Sequence, residues 1–151
     1  LQELSKSCDA DWVCLQYGDI SADLKRARAE GLELAYWPGS IKDLDEFAAI
    51  VSALDLVITV CNTTVHYAGA LGVPVWVLAP RVPEWRYGLH SETMPWYPSS
   101  TVYRQDIDGD WETLIRQVGK ELCERDWSDW RGPRATNPAA RALFPIPVVK
   151  P

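Results

Sequence analysis

The stretch whose reading decides the fold is Asp55–Pro80, DLVITVCNTTVHYAGALGVPVWVLAP. Leu56 to Val60 is a short, β-branched apolar run, the pattern of a strand covered on both faces. Cys61 follows, and Asn62, Thr63 and Thr64 then supply side chains suited to capping a helix where the strand ends. The helix after them carries Ala68, Gly69 and Ala70, small enough for close approach to a sheet. Gly72 ends it, and Pro74 opens a second buried strand, Val75 to Leu78. A strand that delivers hydroxyls and free backbone N–H groups to a helix N-terminus makes an anion site, so the segment predicts a phosphate-bearing ligand.

The same alternation extends in both directions. Trp12 to Gln16 reads as a strand ending in Tyr17-Gly18, and Ser21 as the cap of a helix running to Glu30, with Gly31 beyond it. Leu32 to Trp37 is the second strand, stopped by Pro38-Gly39. Leu44, Phe47, Ala48, Val51 and Leu54 form one helical stripe starting near Asp43. Residues 81–100, RVPEWRYGLHSETMPWYPSS, have no consistent period and read as a long functional loop. Thr101 to Arg104 is an expected edge strand, and Trp111, Leu114, Ile115, Val118 and Leu122 mark a last helix capped by Asp110. Strands alternating with helices predict an α/β fold, a Rossmann-like three-layer sandwich with a mostly parallel sheet. Such sheets bind ligands beyond the carboxyl ends of their strands, where Gln16, Tyr17, the Asn62–His66 turn and the 81–100 loop fall.

Composition narrows the function classes. The 151 residues allow one domain with a core, residues 1–125, followed by a Trp- and Pro-rich tail, residues 126–151. A net charge of −6 argues against a nucleic-acid partner, whose affinity comes from clustered Lys and Arg. No apolar run is long enough to span a bilayer, and no signal peptide opens the chain. The chain does not begin with Met, so it reads as a piece of a longer protein. Cysteines at positions 8, 14, 61 and 123 lack zinc-like spacing and are expected to be reduced thiols of a cytoplasmic protein. Two separated histidines, His66 and His90, do not suggest a metal site.

The chemistry concentrates at few residues. Thr63 and Thr64 can hydrogen-bond phosphate oxygens with help from the helix dipole; simple N-capping is the alternative. His66 can reach a phosphate or ribose, or bond a neighbouring element. Arg86 can pair with a phosphate and Trp85 can stack on a base or sugar, while a local Glu84–Arg86 ion pair would explain the same residues. There is no GxGxxG, no GxxxxGK[ST] and no GxSxG motif. No carboxylate stands out as a catalytic base.

The segment DLVITV, a polar turn, then VHYAGALGVPVWVLAP resembles the C-terminal half of heptosyltransferase-like family 9 glycosyltransferases. PEWRYG, MPWYPS and VYRQ followed by GDW are similar to the glycosyltransferase-like domains that follow tetratricopeptide repeats in many bacterial proteins. The resemblance covers roughly residues 10–125 and implies the C-terminal, donor-binding domain of a GT-B architecture. It implies that Asn62, Thr63, Thr64 and His66 lie at a nucleotide-diphosphate-sugar donor, with Gln16 and Tyr17 near its base or ribose; Trp85 and Arg86 are expected at the same donor from their own chemistry. The Asn-Thr-Thr turn also resembles the diphosphate-binding turn of peptide O-GlcNAc transferases. No cofactor or metal is implied beyond the donor itself. The remaining partners would be an N-terminal half and tetratricopeptide repeats of the same polypeptide. Their separation predicts exposed apolar surface open to self-association. One departure is clear: the family's Asp-Thr is Cys61-Asn62 here, so an acidic donor contact is missing and heptose specificity is not inherited.

Overall fold

The structure, a computed structural model, describes residues 10–126. All but the first residue of the expected tail lies outside the described residues, as does Cys8. The elements in chain order are β1 (Trp12–Val13), α1 (Ser21–Ala29), β2 (Leu34–Ala35), a 3-10 turn (Ser40–Lys42), α2 (Leu44–Ser52), β3 (Val57–Val60), α3 (Thr63–Ala70) and β4 (Val75–Ala79). A second 3-10 turn (Trp85–Tyr87), β5 (Ser100–Arg104) and α4 (Trp111–Glu124) complete it.

The fold is α/β and Rossmann-like, with every strand pairing parallel. The strands form two small sheets, β1-β2 and β3-β4-β5. In the larger one Val57 pairs with Val75 and Val60 with Leu78, while Val75 pairs with Ser100 and Ala79 with Arg104. All five residues of β4 are buried, as the central strand of a sheet covered on both sides must be.

Alternation along β4 separates two apolar layers. Val75, Val77 and Ala79 face a core built with Phe47 and Val51 of α2 and Val65 and Ala68 of α3. Trp76 and Leu78 face the opposite core, built with Tyr103 and with Leu114, Val118 and Leu122 of α4. Helix, sheet and helix therefore make three layers, and burying each large side chain contributes about 1.5–3 kcal/mol. Trp12 of β1 packs against the α4 layer, and Leu15, just past that strand, against the α2–α3 layer.

Three expectations need correction. β1 and β2 hold only two residues each in the ladder, shorter than the runs 12–16 and 32–37. A two-stranded ladder with no third hydrogen-bonded strand among the described residues frays at its ends. Ser21 is the first helical residue rather than the cap; Asp19 accepts its N–H at 3.1 Å from two residues upstream. Leu44 is 70% exposed, whereas Ile50, outside the expected stripe, is buried. Helical side chains lean toward the N-terminus, so Leu44 at the first position projects off the helix end.

The caps at Asp43 and Asp110 form as expected. Asp43 accepts from the N–H groups of Asp45 and Glu46, and Asp110 from that of Thr113. Gly72, with φ of +71°, turns the chain out of α3 in a conformation that favours glycine. The outer edge of β5 is covered by the middle of the long loop: Val102 donates to the Glu92 carbonyl at 2.8 Å and Thr93 bridges Thr101. Among the described residues no helix is long and apolar enough to cross a membrane.

Candidate functional site

The carboxyl ends of β3, β4 and β5 lie on one edge of the larger sheet, and the turn into α3 starts there. Asn62 sits in extended backbone, φ −151°, before α3. Its Oδ1 accepts the Thr64 N–H at 2.9 Å and the Thr59 hydroxyl at 3.3 Å, so this side chain caps the helix. Val65 N–H turns back to the Asn62 carbonyl at 3.3 Å. Thr63 is exposed and Thr64 half-buried, and neither hydroxyl makes a hydrogen bond among the described residues. The turn thus presents two hydroxyls over a helix N-terminus whose own donors are already partly satisfied.

Cys61, beside that turn, lies one residue past the Val60–Leu78 pair, level with Ala79 and Arg104 on the neighbouring strands. The small side chain of Ala79 in the middle leaves room for Tyr87, which is 2% exposed and whose hydroxyl faces the Cys61 thiol. Burial, aided by the nearby Glu84 carboxylate, pushes the Cys61 thiol up and keeps it protonated. Burial likewise pushes the Tyr87 phenol up to about 12. Neither group is prepared to act as a nucleophile or base near neutral pH.

The 81–100 loop is clamped to this edge. Arg104 Nη2 donates to the Tyr87 carbonyl at 3.1 Å and the Ser91 carbonyl at 3.3 Å. Met94 is buried in the α2–α3 core. Tyr97 lies against α3, where a Cβ on Gly69 would come within 2.2 Å of its ring. His66 Nδ1 is 3.2 Å from the Tyr97 hydroxyl, so the histidine bonds the loop. Gly69 therefore opens toward the loop and not toward the sheet; Ala68 is the small residue that meets the sheet.

Arg86 pairs with the Glu84 carboxylate, and its guanidinium lies 5.8 Å from the Trp85 ring centre. Trp85 meets Trp96 edge to face, ring centres 6.1 Å apart. Both indoles are exposed. Gln16 and Tyr17 are exposed past the end of β1, and no hydrogen bond joins them to the Asn62 turn among the described residues. The geometry thus links Asn62, Thr63, Thr64 and His66 through the turn, and Trp85 and Arg86 through the loop. Sequence reading missed Arg104, Tyr97 and Gly69 as the clamp; the alternation of Gly69 with its helical neighbours was the one available signal. A depression of about 380 Å³ on the far layer, lined by Gln117, Lys120, Glu121, Glu124 and Arg125, belongs to the outer face of α4. Among the described residues no cluster of His, Cys, Asp or Glu could hold a metal ion.

No family model matches the chain, and no solved structure matches it. Protein FlbA of Caulobacter vibrioides is 37% identical to it over 115 residues. The match covers 74% of this chain but 19% of FlbA, so the chain spans less than a fifth of that relative's length.

Proposed function

We propose that this chain is the nucleotide-sugar-binding part of a glycosyltransferase-like protein, with the donor diphosphate held at the start of α3. The observation that carries the reading is the pair of hydroxyls, Thr63 and Thr64, unbonded among the described residues, at a helix N-terminus on the carboxyl edge of a parallel sheet. The resemblance of the His66–Pro74 segment to family 9 glycosyltransferases supports the same ligand class. In this reading the hydroxyls and the helix dipole stabilise the leaving diphosphate as its charge develops. His66 holds the loop wall through Tyr97, and Arg86 supplies a cation. The sugar acceptor and the general base come from elsewhere in a longer polypeptide.

A second reading has its own observation. The turn carries Cys61-Asn62 without a carboxylate, and the Asn62 oxygen is committed to the cap. That favours a non-catalytic nucleotide-sugar-binding or scaffolding module of a tetratricopeptide-repeat protein. The experiment that tests the binding site is the double substitution Thr63→Ala with Thr64→Ala, followed by calorimetric titration with UDP, GDP and ADP sugars. Loss of hydrogen bonds to a charged diphosphate should weaken binding by about tenfold or more. Unchanged affinity would remove the phosphate role. Binding without sugar transfer in the longer polypeptide would favour the second reading.

A further inference from the structure

The 81–100 loop combines buried anchors with exposed indoles. Tyr87 and Met94 are 2% and 3% exposed, and Tyr97 fills the notch left by Gly69. Arg104 ties the backbone at Tyr87 and Ser91. Between these fixed points Trp85 is 74% exposed and Trp96 54%, the two rings perpendicular at 6.1 Å. A loop held this firmly gives its tryptophans a set position at little further entropic cost on binding.

We infer that Trp85 and Trp96 form a platform for a pyranose ring. The aliphatic C–H face of a pyranose carries weak positive charge and suits the negative face of an indole. Two perpendicular indoles make a corner that meets both the face and the rim of one ring. The rim hydroxyls need donors and acceptors, and these stand beside Trp85. The Glu84 carboxylate and the Arg86 guanidinium, paired with each other, both keep part of their side chains open to solvent there. Mixed apolar and polar chemistry of this kind fits a sugar better than a purely apolar partner surface. The inference rests on the proposed function for the identity of the larger ligand, and the sugar has two possible sources, the donor or an acceptor glycan.

The test is saturation-transfer NMR on the full chain with methyl glucoside, methyl galactoside and methyl N-acetylglucosaminide, and separately with UDP, GDP, ADP and their sugars. Wild type, Trp85→Ala and Trp96→Ala are compared, and thermal unfolding verifies that these exposed sites leave the fold intact. We expect saturation concentrated on one sugar face, and affinity for the preferred glycoside about fivefold to tenfold weaker in each variant. If the sugar is the donor's, both variants lose the preference for nucleotide sugar over free nucleotide. If it is an acceptor's, glycoside and nucleotide sugar bind together. Equal glycoside binding by wild type and both variants, or no glycoside and no sugar moiety bound by wild type, overturns the platform. Glycoside binding with no nucleotide binding leaves the platform standing and instead removes the donor reading.

Discussion

Replacing Gly69 by alanine tests the clamp that shapes the candidate site. Gly to Ala inside a helix ordinarily stabilises by about 0.5–1 kcal/mol, because glycine loses more backbone entropy on folding. Here the new methyl would sit 2.2 Å from Tyr97 Cγ, 2.5 Å from Cδ2 and 2.7 Å from Cβ. The Cβ contact matters most, since rotating the tyrosine side chain does not move that atom. The loop backbone must retreat, and the His66–Tyr97 bond is drawn apart with it. Overpacking of this kind costs about 1–3 kcal/mol, so the expected sign reverses to a net loss of about 1–2 kcal/mol. In a Tyr97→Gly background all three of these contacting atoms are gone, and the same change should stabilise by about 0.5–1 kcal/mol. Urea unfolding of the four proteins, followed by circular dichroism, gives the coupling directly. If Gly69→Ala stabilises the otherwise unaltered chain, the loop does not dock in that notch and the reasoning fails.

Asn62→Ala removes the cap of α3 and should lower stability by about 1 kcal/mol in urea, with Asn62→Asp largely retaining it; equal loss in both would refute the cap. Burial raises the Tyr87 phenol from its ordinary 10.0 to about 12, so the unfolded chain ionises first as pH rises. Its contribution to stability is therefore intact below pH 10 and declines toward pH 12. Tyr87→Phe should flatten that decline in melting temperature, and an unchanged alkaline slope would contradict it. The half-buried, protonated Cys61 should alkylate more slowly than the exposed Cys123 at neutral pH, as peptide mass mapping would show; faster modification of Cys61 would refute its shielding.

The larger sheet was legible because its strands announce themselves twice. Val57–Val60 and Val75–Ala79 are β-branched apolar runs, and each ends in a turn residue that the backbone uses. The helix caps Asp43 and Asp110 were legible for the same reason: a short carboxylate ahead of an amphipathic stripe has one obvious task. Gly69 was harder. Successive helical residues point about 100° apart, so only one of Ala68, Gly69 and Ala70 can face the sheet, and which one depends on packing. Of the loop anchors, Tyr87 and Tyr97 were legible as aromatic packing residues, but where they and Met94 dock was not, since they reach their places through contacts distant in sequence. Arg104 at the end of an edge strand gave no sign that it would hold two carbonyls of the preceding loop. At the site, Asn62 showed its capping chemistry plainly, and Thr63 and Thr64 kept both meanings, cap and ligand contact. Structure assigned the cap to Asn62 and left the two hydroxyls unbonded among the described residues.

Ligand binding at the start of α3 decides the function of this chain. Calorimetric titration of the longest polypeptide that carries this chain, with UDP, GDP and ADP sugars in turn, measures it most directly. One of them should bind with an affinity that Thr63→Ala with Thr64→Ala weakens by about tenfold or more, at unchanged fold. No heat of binding from any of the three, with the protein folded, would contradict the account.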